Sequence, residues 1–144
     1  MAVVQVKGVN VTKFESPGDS NWIDQGLIKS GIKVWSDTYE SLGTETQAST
    51  IHLATLPVGA IVHFIALAYA DVGAATSTLD VGDAVDPNRY ASAIDTTAVG
   101  YYIGNLEAGA QHEIIATTTD IIATINVAAF DTTGTLNFSV YYSN

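Results

Sequence analysis

At 144 residues with no cysteine, the chain is one domain's length of sequence, long enough to bury about 70% of its unfolded surface without a disulfide or a thiolate-held metal. Lysine and arginine number 5 against 15 aspartates and glutamates, a formal net charge of −10. A body that acidic repels phosphate rather than displacing its counterions, which argues against nucleic acid as a partner.

The amino terminus, Met1-Ala2-Val3-Val4-Gln5-Val6-Lys7, lacks the basic start and apolar run of a signal peptide, so synthesis in a cytoplasm is expected. Val4, Val6, Val9 and Val11 suit a strand, Glu15 to Asn21 reads as a loop, and Trp22-Ile23 is an apolar anchor in a polar setting. Residues 1–33 carry four lysines against three acids, whereas residues 34–144 carry twelve acids and Arg89 as their one cation. Residues 1–31 therefore read either as a first strand and loop packed on the same domain or as an arm lying across a neighbour. Lys7, Lys13 and Trp22 are the arm's candidate contacts. Residues 32–144 read as the main domain.

Along that domain apolar residues recur with a period of two, which turns one face of a strand toward a core. Ile32 and Val34 alternate with Lys33 and Trp35, Ile51 and Leu53 with His52 and Ala54, and Leu136, Phe138, Val140 and Tyr142 with Asn137, Ser139 and Tyr141. Ile61 to Ala68, Glu113 to Thr118 and Ile121 to Val127 are nearly continuous in apolar or β-branched residues and are expected as inner strands. The apolar stretch from Ala60 to Ala70 is too short for a bilayer and carries His63, so no membrane is expected. Turn chemistry fills the gaps at Pro57-Val58-Gly59, Asp71-Val72-Gly73, Asp86-Pro87-Asn88, Gly104-Asn105, Ala108-Gly109 and Thr133-Gly134. The pattern predicts an all-β fold: a single antiparallel β-sandwich, jelly-roll-like, with an N-terminal arm.

Candidate chemistry is sparse. Thr78 to Tyr90, TLDVGDAVDPNRY, holds Asp80, Asp83 and Asp86 beside the chain's single arginine. Their spacing of three fails the alternate-position pattern of a calcium loop, leaving Asp80, Asp83, Asp86 and Asn88 as weak metal candidates only. The stronger reading is structural: a strand end at Gly82-Asp83, a turn at Asp86-Pro87-Asn88, and Arg89 paired with Asp83 or Asp86. His52, His63 and His112 fall on separate predicted elements with no zinc spacing, no serine sits in a nucleophile elbow, and no glycine-rich loop precedes a helix. Neither enzymatic activity nor a cofactor is expected. Of the consecutive tyrosines, one of each pair must face inward and one outward, and Tyr102 and Tyr141 are taken as the interface candidates.

The Leu56-Pro57-Val58-Gly59-Ala60 turn, the long apolar strand after it, the TLDVGD and DPNRY elements and the closing Val140-Tyr141-Tyr142 strand together resemble the capsid decoration (cement, or head auxiliary) proteins of tailed bacteriophages. The resemblance spans about residues 32 to 142 and departs from the family at Val58, where a basic residue is usual. It implies a virion protein on the capsid exterior that trimerises at threefold positions, partners the major capsid protein and stabilises the head against packaged DNA. Two alternatives stand beside it: a carbohydrate-binding β-sandwich module with rings stacked on sugar, and a minor virion or tail structural protein. A chain that starts at methionine and ends on its last strand is not what a module cut from a longer, linker-bearing protein is expected to show.

Overall fold

The computed structural model describes residues 5–7, 31–104 and 114–144. These residues form nine strands and no helix: β1 (Gln5–Lys7), β2 (Lys33–Leu42), β3 (Thr50–Leu56), β4 (Ile61–Tyr69), β5 (Thr78–Gly82), β6 (Ala91–Asp95), β7 (Gly100–Gly104), β8 (Thr119–Asn126) and β9 (Thr133–Ser143). They pair into a five-stranded sheet, β1-β3-β8-β5-β6, and a four-stranded sheet, β2-β9-β4-β7. All pairings are antiparallel except β1 on β3. Only β5 and β6 are consecutive neighbours in one sheet. Every other connection from β2 onward crosses between sheets, as in a β-sandwich.

The core lies between the sheets. Ile51, Leu53 and Leu56 of β3, Leu79 and Val81 of β5, and Ile121 and Ile125 of β8 meet Ile65 and Leu67 of β4 and Leu136, Phe138 and Val140 of β9, all buried. Bulges between His52 and Ala54 and between Val62 and Phe64 reset which residues face inward. The turn into β4 follows the sequence closely: Ala60 N–H donates to the Pro57 carbonyl, and Gly59 holds φ +85°, the left-handed position a type II turn requires. Loop residues then dock on that turn, with Gly59 N–H donating to Ile115 O and Ile115 N–H to Ala60 O.

Four expectations are corrected. Ile32 and Val34 do not define the core face of β2, since Ile32 is 61% exposed and the buried residues are Asp37, Tyr39 and Ser41, with Trp35 packed beside them. No strand covers the described part of 113–118: Ile114 makes one isolated bridge to Ile61, and its neighbours follow the turn just described. Thr133-Gly134 opens β9 rather than forming a turn. A strand at Ala91–Asp95, unmarked by any apolar alternation, completes the five-stranded sheet. The expectations for Lys13, Trp22, His112 and the Ala108-Gly109 turn lie outside the described residues.

Candidate functional site

The aspartate-rich run divides its work between two structures. Asp80 stands on the outer face of β5, where Oδ1 accepts from Ala93 N–H at 2.7 Å and Oδ2 from the Asn126 side-chain amide. Ala93 has φ +54°, at the irregularity where β6 slips against β5, so Asp80 holds a bulge and ties three strands together. Asp83 is buried at the mouth of the next loop. Its Oδ1 accepts from Val85 N–H and Asp86 N–H, both at 2.8 Å, and Oδ2 lies 2.7 Å from Arg89 Nε. The Asp86 carbonyl takes the N–H groups of Asp83 and Arg89, and Tyr90 N–H returns to Val81 O. Gly82 is required there, because a Cβ would collide with the backbone of Asp86 and Pro87.

This arrangement fixes a loop and does not gather ligands. Both Asp80 oxygens are spent on the sheet, and Asn88 is exposed in the turn. Among the described residues no group of three or more His, Asp or Glu could hold a metal ion. The two described histidines are also apart, His52 beside Asp120 at 3.2 Å on the five-stranded sheet and His63 beside Ser143 at 2.9 Å on the other.

One acidic centre carried no sequence signal. Glu45, 3% exposed, accepts hydrogen bonds from Tyr39 Oη, from Ser41 Oγ at 3.1 Å, and from the N–H groups of Leu42 and Thr44 at 2.8 and 3.0 Å. Its own carbonyl receives Phe130 N–H. Burial pushes this carboxyl up, but the Tyr39 hydroxyl and the backbone donors outweigh it and hold the group below the ordinary glutamate value. Burial first, and then the same contact, raise the Tyr39 hydroxyl well above the usual tyrosine value. The centre ties the β2–β3 loop to the end of β2 and to the β8–β9 loop.

The outer faces of the two sheets differ sharply. On the five-stranded sheet the registers bring out Lys7 opposite His52, Thr55 opposite Asp120, Asp80 opposite Thr124 and Asp95 opposite Thr78. On the four-stranded sheet they bring out Val34 beside Tyr141 and Phe64, then Ser36, Ser139, Ala66 and Ile103, then Thr38, Asn137, Ala68 and Tyr101. Phe64 and Tyr141 stack with centroids 4.1 Å apart. Across these three rows no side chain is charged; Glu40, opposite Thr135, lies in the row beyond.

Tyr101 and Ile103 on edge strand β7 are 78% and 69% exposed. Tyr102, expected at an interface, instead turns inward: it pairs with Leu67, packs against the core, and lies over Gly104, where a Cβ would strike its ring. Tyr101 takes the outward place. A groove also runs over the five-stranded sheet between the 83–90 loop and residues 114–119. Among the described residues that line it, the one tyrosine, Tyr90, is buried, and no phenylalanine or tryptophan stands beside it.

No family model and no curated protein sequence matches the chain. Solved structures do. The chain is similar to a chain of the cyanophage Pam1 capsid asymmetric unit, at 28% identity and a TM-score of 0.68 over 78% of this chain and 84% of that one. It shares its fold with a chain of the Ralstonia phage GP4 capsid, at 17% identity, a TM-score of 0.62 and coverage of 78% and 84%. A chain of the Helicobacter pylori bacteriophage KHP30 capsid matches at 17% identity and a TM-score of 0.56 over 77% and 87%. The structural neighbours are thus phage capsid structures, in keeping with a phage capsid-associated protein.

Proposed function

We propose that this chain is a non-enzymatic structural protein of a phage virion that binds the outer surface of the mature capsid and stabilises the head. The observation that carries the reading is the likeness, over more than three quarters of the chain, to a chain of the Pam1 capsid asymmetric unit. The site geometry agrees with it. Arg89, Asp83 and Asp80 hold backbone in place, and an acidic body is repelled by the DNA inside a head while remaining free to sit on the shell outside it.

In this reading the subunit is made in the bacterial host cytoplasm, joins the major capsid protein and forms a trimer at threefold positions. Such a ring needs a heterologous contact, one patch of a subunit meeting a different patch of the next. Lys7, exposed on strand β1, offers one such patch.

Cosedimentation of purified protein with heads that lack it, followed by heat challenge of the heads, tests the function. Saturable binding and a raised temperature of DNA release are expected. Failure to bind, with retention on an immobilised glycan, would replace the reading with a sugar-binding one. Binding to tails instead of heads would make the chain a minor virion component.

A further inference from the structure

We infer that the outer face of the four-stranded sheet, centred on Tyr101 and Ile103, is the surface that seats the protein on an uncharged, apolar patch of the capsid exterior. The five-stranded sheet's acidic face then points into solvent. The inference rests on the capsid-binding reading above and adds the orientation and the chemistry of the contact.

Charge partition is the first argument. In a chain of net charge −10, three successive cross-strand rows without a charged side chain are the region where a second surface can approach with least electrostatic cost. The opposite face presents Asp80, Asp95 and Asp120.

Edge chemistry is the second. Exposed edge strands are ordinarily guarded by lysine, proline or an inward charge. β7, Gly-Tyr-Tyr-Ile-Gly, has none of these, and its two outward side chains are large, apolar and exposed. Beside them on β4 stand the small side chains of Ala66 and Ala68, and Phe64, stacked on Tyr141, follows in the next row, so the face is apolar from β7 to β9 at that end.

Size selects the occupant. Four strands about 4.8 Å apart and about five residues long cover roughly 330 Å², well under the ~800 Å² per partner of a stable pairwise interface. A second copy held by this face alone would dissociate. A capsid offers many identical patches at once, and an oligomer engaging several of them gains by effective concentration what each contact lacks. The face therefore suits a repeating shell better than a free twofold dimer.

The test uses full-length protein and undecorated heads. Tyr101→Glu and Ile103→Glu, both at exposed positions, are compared with Val85→Glu, which puts the same acid at an 88% exposed valine in the 83–90 loop. Tyr101→Ser serves as a gentler variant, and thermal melts establish that each is folded. Both β7 glutamates are expected to weaken head binding by about tenfold or more, while Val85→Glu stays near the unaltered protein. Unchanged head binding by folded Tyr101→Glu, Tyr101→Ser and Ile103→Glu overturns the inference and leaves the capsid-binding reading standing. A dimer of the unaltered protein in solution that Tyr101→Glu splits overturns it too, in favour of a second copy. Absence of head binding by the unaltered protein removes the capsid-binding reading itself.

Discussion

At the residue scale, Asp83 and Arg89 are unequal partners. Asp83 has a side chain 9% exposed and carries three contacts, two of them from backbone N–H groups of the turn; Arg89, 19% exposed, can be lost while those two remain. Asp83→Ala should therefore cost about 3 kcal/mol, in the range for breaking a buried pair, and Arg89→Ala nearer ~1–2 kcal/mol. Urea titration orders them, and a larger loss for Arg89→Ala would mean that the pair, not the turn, closes the loop. Glu45 sets a pH dependence of definite sign. Because its folded carboxyl is held below the ordinary value, it binds a proton less readily folded than unfolded, so its contribution is present above the unfolded value of about 4.3 and lost as pH falls through the folded one. Stability should fall on acidification below about pH 4, and Glu45→Gln should flatten that fall while lowering stability at neutral pH. Urea midpoints measured from acidic to neutral pH report both. An unchanged acid slope in Glu45→Gln would assign the dependence elsewhere.

At the element scale, the clearest parts of the sequence were those where one physical rule acts alone. β9 alternates Leu136, Phe138, Val140 and Tyr142 inward as its pattern requires, and the turn before β4 places glycine where φ is positive. Legibility failed where tertiary contacts override the pattern. In β2 the inward face is Asp37, Tyr39 and Ser41, because Tyr39 and Ser41 donate to a glutamate brought back by the following loop; a parity rule built on Ile32 and Val34 cannot see that partner. β6 offers one buried isoleucine and is held by Leu79 and by Asp80 on β5. Residues 114–118 are strongly apolar at Ile114 and Ile115 alone, enough to dock on the Gly59 turn and too little for a ladder. The Asp83–Arg89 pairing needed only one cation among many acids to suggest it, whereas the uncharged rows of the four-stranded sheet became visible only with the register. Two glycines separate conformational from steric demand. Gly59 has open space where a methyl group would sit but holds φ +85°, so Gly59→Ala should cost about 1–2 kcal/mol. Gly82 faces backbone, so Gly82→Ala should cost about 1–3 kcal/mol and also loosen the 83–90 loop. Hydrogen exchange at Val85 and Asp86 distinguishes them: it should rise in Gly82→Ala and stay constant in Gly59→Ala.

At the scale of the whole molecule, the acidic body makes the proposed attachment to a shell depend on salt. Twelve acids and one arginine lie in residues 34–144, so on the proposed reading neighbouring subunits on a shell would repel across solvent, over a Debye length that shrinks from about 30 Å at 0.01 M salt to about 8 Å at 0.15 M. A seating face without charges gains nothing from low salt. Loading of undecorated heads should therefore rise between about 0.01 and 0.15 M sodium chloride as lateral repulsion is screened, then level off, since apolar burial is not weakened by further screening. The lysines of residues 1–33 predict the opposite course if they carry the attachment by lying across a neighbour's carboxylates, because exposed ion pairs weaken steadily with salt. Copies per head, counted by densitometry after sedimentation across the salt series, decide between the two. Deleting residues 1–31 makes the contrast sharper: on the sheet-face account the truncated chain should keep the rising branch with at most reduced occupancy, because Tyr101, Ile103, Phe64 and Tyr141 all lie beyond the deletion. A steady fall in loading with salt that disappears on truncation would move the attachment from the sheet face to the arm.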